Sequence, residues 1–235
     1  MEHINKGVKI SLERLKVAIE ANGQDKESRL AEEEAAKSKL IEARLKGSGI
    51  PVKCLVERNS FKTFVESGDN GKAVEALKEF SKAPGRSIVI VNSTSGLGKT
   101  HLACSVIRAL PLERLYDFWT DPFNSVRYVS MQDICVRIDC SRFYGASETK
   151  EQIYKEYANC PLLIVDELGA GEDRRIESNF IAYVLSKRYE SMKPTLIFSN
   201  LGTEEMKDFF SDRIKDRIRE VGSMYMIKGE SFRKR

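Results

Sequence analysis

Two glycines, a lysine and a threonine follow an apolar segment in a spacing that suits phosphate binding. Residues 88–91 are all apolar, and Gly96, Gly98, Lys99 and Thr100 come shortly after them. Glycine lets the backbone approach a phosphate chain where a Cβ would intrude, and the first amides of a following helix point at the anion. Lysine adds a charge for the outer phosphates, and the threonine hydroxyl can ligate Mg²⁺. The segment is predicted to be a strand, a phosphate loop and a helix.

One position departs from the full phosphate-loop pattern. Ser93 stands where that pattern has its first glycine, while the core S-G-L-G-K-T is intact. The alternative is a chance GxGKT in an ordinary turn. The apolar run before the motif and the apolar-periodic residues 102–110 after it favour the phosphate loop.

A pair of acids closes a second apolar run. Residues 162–165 are uniformly apolar, as in a strand buried on both faces of a parallel sheet, and Asp166 and Glu167 follow. Ligands of α/β proteins bind at the carboxyl ends of such strands. Asp166 suits a place in the coordination sphere of Mg²⁺, and Glu167 suits a general base on a water that attacks the γ-phosphate. The alternative is that the two acids merely cap a nearby helix.

Asn200 follows a further predicted strand, residues 195–198. At that strand end its side chain would lie beside the γ-phosphate and could hold the attacking water. Taken alone, an asparagine there also fits a simple turn.

The C-terminal region carries a helix with a repeated pair of charges. Arg213 and Arg217 share one face, and residues 212–235 hold eight Lys or Arg against four Asp or Glu, whereas the whole chain has a net charge of +4. The helix could be a solvated, ion-paired one, or it could present an arginine to the nucleotide of a neighbouring subunit. The local excess indicates an anionic contact such as DNA or nucleotide.

Residues 7–46 read as helical and end at the breaker cluster Gly47-Ser48-Gly49. We therefore predict a small N-terminal helical domain over 1–48 and an ATP-binding domain over 49–235. The first domain could dock on a partner protein, or it could be a helical extension that packs on the core.

Phe61 or Phe64 could flank a nucleotide base, although an aromatic at such a place more often belongs to the core. The aromatic-rich residues 111–124 could form a contact patch or cover a sheet edge.

Composition indicates a globular, cytosolic protein. Hydrophobic residues make up 41% and charged residues 31%, and the N-terminal residues contain neither an apolar signal segment nor a long apolar run. The five cysteines are scattered, and with histidine only at His3 and His101 they do not suggest a zinc site. Reduced, mostly buried thiols are expected.

Strands and helices alternate from residue 88 onward, which predicts a parallel sheet with helices on both faces. The ordered motifs S-G-L-G-K-T-H-L-A, L-L-I-V-D-E-L-G, P-T-L-I-F-S-N-L, D-R-I-K-D-R-I-R and I-K-G-E-S-F-R together resemble those of the DnaC/IstB group of AAA+ ATPases. The likeness runs from Gly49 to the C-terminus and is greatest to helicase loaders of the DnaC kind.

This resemblance implies a P-loop AAA+ (ASCE) α/β core with a parallel five-stranded sheet, in which the first strand is flanked by the sensor strand and the strand with the acid pair. It implies ATP and Mg²⁺ as cofactors, with Thr100 and Asp166 on the metal and Glu167 and Asn200 as catalytic residues. Arg217 becomes the arginine finger that acts on an adjacent subunit, with Arg213 and Arg233 as lesser candidates. The nucleotide-binding residues implied by position are Ser95, Gly96, Leu97, Gly98, Lys99, Thr100 and His101.

The resemblance also implies an ATPase that binds single-stranded DNA, self-associates, and loads a hexameric DnaB-family replicative helicase onto DNA. Three alternatives stay open on the residues. One is an IstB-type transposition helper, which uses the same core on duplex DNA. Another is an adaptor in which ATP is bound but not hydrolysed. The last, a small-molecule kinase, is disfavoured because Glu167 suits a water-activating role and no acceptor-binding lid is evident.

Overall fold

The computed structural model describes residues 26–56, 59–65, 70–112, 126–171, 173–229 and 231. The chain divides into two compact units between Leu40 and Ile41. In the first unit, the described residues 26–40 are helical and mostly exposed. The domain boundary after residue 48 and the docking role of 1–48 stay predictions. Most of the aromatic-rich segment 111–124 and Arg233 lie outside the described residues.

The described elements include the predicted strands at 88–91, 162–165 and 195–198, the predicted helix after the phosphate loop and the predicted C-terminal helix. The helices are α1 (Lys26–Ser48), α2 (Gly71–Lys82), α3 (Lys99–Ala109), α4 (Met131–Cys140), α5 (Lys150–Asn159), α6 (Arg174–Glu190), α7 (Thr203–Phe209) and α8 (Asp212–Val221), with a short 3₁₀ turn at Val52–Leu55. The strands are β1 (Ile88–Ser93), β2 (Val126–Ser130), β3 (Leu162–Leu168), β4 (Thr195–Ser199) and β5 (Gly222–Ile227). Local signals set several helix starts: Thr149 and Gln152 form a capping box on α5, and Asp173 caps α6.

The strands form one parallel sheet in the order β2-β3-β4-β1-β5. This confirms the predicted five-stranded parallel sheet. It also confirms β4, the strand before Asn200, as one expected neighbour of β1, but the other neighbour is β5 and not the acid-bearing β3. β1 lies between β4 and β5, and the acid-bearing β3 lies between β2 and β4. The burial of the strands agrees with this order: β4 is buried along its whole length at an inner position, while β5 leaves Met224 and Met226 exposed at the edge.

Two hydrophobic cores lie on opposite faces of the sheet, because alternate residues of each strand point to opposite sides. Val89, Val91 and Ile164 face the core that includes α2 and α3, whereas Ile88 and Ile90 face the core that includes α4, α5 and α6. The carboxyl ends of β1, β3 and β4 meet at one edge, which places the predicted functional residues together.

All five cysteines are free thiols, and Cys140 at the end of α4 is the exposed one. Burial raises the pKa of the other four, to about 11 in the case of Cys135. Among the described residues, no helix has both the length and the apolar character needed to cross a membrane.

Candidate functional site

The loop between β1 and α3 has the geometry of an anion cradle. Gly96 and Gly98 adopt φ values of +84° and +81°, in the left-handed region that favours glycine. No side chain caps the N-terminus of α3, so the backbone amides there are available to an incoming anion. The predicted strand, phosphate loop and helix are all observed.

Two other segments pack directly on this loop. A Cβ added to Gly96 would lie 2.0 Å from Ser231 Oγ, and one added to Gly98 would lie 2.8 Å from Phe64 Cε2. Leu97 points the other way and is 1% exposed in the core. Its side chain therefore anchors the loop, which leaves only its backbone for a ligand.

Lys99 is nearly buried at the start of α3, and its ammonium lies among oxygens of its own loop. Nζ donates to Ser93 O at 3.1 Å, to Ser93 Oγ at 3.1 Å and to Thr94 O at 2.9 Å. The sequence did not reveal this role of Ser93: its hydroxyl accepts a hydrogen bond from Lys99, which a glycine at this position could not do through a side chain. Phosphate oxygens could replace the loop oxygens around Nζ.

The structure brings Thr100 and Asp166 together, as predicted for a metal site. Asp166 is fully buried at the carboxyl end of β3, and its Oδ2 accepts a hydrogen bond from Thr100 Oγ1 at 2.8 Å. Tyr128 of β2 donates to the same oxygen at 2.8 Å, and Glu167 N donates to Oδ1 at 2.8 Å. Burial, followed by the charge of Asp166, raises the pKa of Tyr128. A hydroxyl and a carboxylate beside an anion cradle form a donor set that fits Mg²⁺.

Glu167 has a strained backbone at a point where the pairing of β3 with β4 is interrupted. Its φ of 61° is unusual for a residue with a Cβ, and the β3–β4 pairing shifts register between Val165 and Leu168. Its side chain lines the cavity, and Ser130 Oγ lies 3.4 Å from its Oε2. A carboxylate held in this way could accept a proton from a water.

A buried acid on α6 accepts a hydrogen bond from the turn that follows Glu167. Glu177 of α6 is 0% exposed, and its Oε1 accepts a hydrogen bond from Gly171 N at 2.7 Å. Burial raises the pKa of Glu177. The turn is thereby tied to the helix behind it.

Asn200, directly after β4, reaches the same cavity. Its backbone N donates to Leu168 O at 2.9 Å, and its Oδ1 is buried without a partner in the described part of the chain. An unpaired carbonyl oxygen can accept a hydrogen bond from a water or another donor, and the catalytic role of Asn200 stays a prediction.

These residues surround a cavity of about 460 Å³, which is a common size for a small-molecule site. The predicted site residues that line it are Ser95, Gly96, Gly98, Lys99, Thr100, His101, Asp166, Glu167 and Asn200. The other lining residues are Lys53, Cys54, Asn59, Thr63, Phe64 and Val65. The ring of His101 meets Phe64 edge-on at 5.5 Å between centroids, and its Nε2 lies 2.9 Å from Ser60 O. Of the two phenylalanines considered for the base, Phe64 is the one that lines the cavity.

The predicted arginine finger lies elsewhere. The side chain of Arg217 in α8 is only 12% exposed, and its Nη2 lies 3.3 Å from Glu190 Oε1. Its guanidinium carbon lies 5.0 Å from the centroid of the Tyr189 ring. Arg213 lies 3.9 Å from the same acid, with 74% of its side chain exposed. Neither lines the cavity of its own chain. Their role toward a neighbouring subunit stays a prediction.

The chain matches the family described as IstB-like ATP binding protein over residues 24–235. It is 30% identical to the replicative helicase loader DnaC of Escherichia coli K12 over 148 residues, which cover 62% of this chain and 56% of the relative. The chain thus spans little more than half the length of that relative. A crystal structure of the DnaC helicase loader has a TM-score of 0.57 at 19% identity, covering 76% of this chain and all of that one. The replication initiator DnaA bound to AMPPCP and single-stranded DNA has a TM-score of 0.57 at 20% identity, covering 74% of this chain and 51% of that one.

Proposed function

Because the chain belongs to the IstB-like ATP-binding protein family, we propose that it is a Mg²⁺-dependent ATPase that loads a replicative helicase onto DNA. The observation that carries the ATPase proposal is the contact of Thr100 with Asp166 beside an uncapped, glycine-rich loop. Phosphoryl transfer needs this combination of backbone amides, hydroxyl and carboxylate.

Each cavity residue has a role in this proposal. The loop amides and Lys99 bind the phosphates, Thr100 and Asp166 hold Mg²⁺, and Glu167 takes the proton of the attacking water, which Asn200 orients. The metal would neutralise charge on the phosphate oxygens. Phe64 and His101 also line the cavity, and we assign them to contacts with the nucleotide.

Hydrolysis is completed, in this proposal, by an arginine from a second copy of the chain. Arg217 is the leading candidate by its position in the second D-R pair of the family motif, while the greater exposure of Arg213 keeps it as an alternative. An arginine supplied by a neighbour would make turnover depend on assembly.

The loop between α4 and α5 exposes two adjacent aromatic side chains. Phe143 is 73% exposed, and the neighbouring Tyr144 is fully exposed. Exposed aromatic rings stack on unpaired bases without regard to sequence. We assign this pair a part in DNA binding, and the segment 1–48 the contact with a DnaB-family helicase.

The test uses the 235-residue chain with a candidate hexameric replicative helicase and a circular single strand, which offers no free end. We expect an ATP-dependent complex and transfer of the helicase onto the circle, both lost in Lys99→Ala. The absence of any helicase complex, together with ATP-dependent binding to duplex DNA, would favour the IstB-type transposition helper. Loading that is unaffected in a hydrolysis-deficient Glu167→Gln variant would favour the non-hydrolysing adaptor.

A further inference from the structure

A tyrosine hydroxyl makes a contact in the site that the residue motifs do not assign. Tyr128 OH donates to Asp166 Oδ2 at 2.8 Å, the same oxygen that accepts from Thr100. An ionised carboxylate can only accept hydrogen bonds, so both hydroxyls are donors. Tyr128 is 8% exposed and is not among the described residues that line the cavity. Its hydroxyl therefore meets the site at Asp166, next to the hydroxyl of Thr100.

Strand register explains how the phenol reaches the acid. β2 pairs with β3 so that Tyr128 stands opposite Ile164 and Ser130 stands opposite Asp166. Residues two apart share a face and are about 6.6 Å apart along the strand. The long tyrosine side chain spans that step, whereas a valine or isoleucine at the same position could not reach Asp166.

We propose that Tyr128 is a positioning residue that fixes the Asp166 carboxylate toward the metal ion of the proposed ATPase site, so this role rests on the proposed function. Asp166 is held from three directions: by the hydroxyls of Tyr128 and Thr100 on Oδ2 and by the Glu167 amide on Oδ1. Mg²⁺ requires near-ideal octahedral geometry, and partners that orient a metal ligand typically change metal affinity by about 10–100-fold. In the proposed site Thr100 would also ligate the metal, and the Glu167 donor is a backbone amide, so Tyr128 is the side chain that we assign to orienting Asp166.

The experiment compares Tyr128→Phe with the unchanged chain in equilibrium binding. The affinity for a non-hydrolysable ATP analogue is measured in EDTA and across a Mg²⁺ titration, and Mn²⁺ binding to the ADP complex is followed by electron paramagnetic resonance. We expect nucleotide affinity in EDTA to stay within about twofold and the affinity for either metal to fall about tenfold.

Tyr154→Phe is the matched control. Tyr154 is also buried, at 6% exposure, but its hydroxyl has no hydrogen-bond partner in the described part of the chain. Its removal should leave metal affinity unchanged. Equal metal affinity in Tyr128→Phe and Tyr154→Phe would overturn the role of Tyr128 alone. An unchanged chain that shows no metal-dependent nucleotide binding would overturn the proposed ATPase itself.

A second measurement covers the case in which Tyr128→Phe does not fold. With 3-fluorotyrosine incorporated into the otherwise unchanged chain, the ¹⁹F resonance of residue 128 should shift when Mg²⁺ is added to the ATP-analogue complex. The Tyr154 resonance should not shift. A residue 128 signal that ignores the metal would contradict the proposal.

Discussion

Gly98→Ala tests how tightly the phosphate loop is fitted to its surroundings. Gly98 has a φ of +81°, and a Cβ there would lie 2.8 Å from the edge of the Phe64 ring. The left-handed backbone costs an alanine about 1–2 kcal/mol, and pushing a packed ring aside costs about 1–3 kcal/mol. We therefore expect the free energy of unfolding to fall by about 3 kcal/mol.

Gly145→Ala separates the two contributions. Gly145 has the same φ of +81°, but a Cβ there would meet nothing within 4 Å. It should cost only the backbone part, about 1–2 kcal/mol. The loss of stability that comes from displacing the Phe64 ring should be absent from the double variant Gly98→Ala/Phe64→Leu, because leucine lacks the ring edge.

The assay is urea denaturation followed by far-ultraviolet circular dichroism, with ATP-analogue affinity measured on the same samples. The double variant should be destabilised by about 1–2 kcal/mol less than the sum of the single variants. Additivity within about 0.5 kcal/mol, or equal losses in Gly98→Ala and Gly145→Ala, would refute the packing of Phe64 on the loop.

Four further outcomes are expected. Glu167→Gln should lower ATP hydrolysis at least about 10²-fold and leave nucleotide affinity nearly unchanged, as read from phosphate release and calorimetry. Arg217→Ala should lower the rate of DNA-stimulated hydrolysis about 10³-fold while ATP affinity is unchanged. A loss of ATP affinity as large as the loss of hydrolysis would indicate a role within its own chain. Replacing Phe143 and Tyr144 by alanine should weaken binding to labelled oligo-dT about tenfold or more in fluorescence anisotropy, without changing ATP affinity. Because burial raises the pKa of Glu177 above its ordinary 4.5, its contribution to stability is present below pH 4.5 and is lost as pH rises through the raised value. The free energy of unfolding, measured in urea, should therefore depend less on pH over that range in Glu177→Gln than in the unchanged chain.

The sequence predicted the phosphate loop and the acid pair well because both follow uniformly apolar strands, where a polar residue marks the strand end. It placed Thr100, Asp166 and Asn200 on different elements, and the parallel sheet brings their side chains to one edge. These are cases in which local pattern and fold rule agree.

Neighbour relations were harder to predict. One of the two expected neighbours of β1 was wrong, since β5 and not the acid-bearing β3 pairs with it. Strand pairing is a tertiary property, which the residues within a single strand do not specify. The Tyr128–Asp166 contact could not be predicted, since a tyrosine in a strand is normally a core residue. Ser93 shows the same limit, because its contact with Lys99 depends on how the loop closes.

The difference in exposure among the five thiols allows a fluorescent label to be placed beside the proposed DNA contact. Cys140 is exposed three positions before Phe143, whereas the other four cysteines are buried with raised pKa values. A thiol that is both hidden and protonated reacts slowly with maleimides. A single fluorophore could thus be attached beside the aromatic pair in the natural sequence, and its emission would report the arrival of an oligonucleotide.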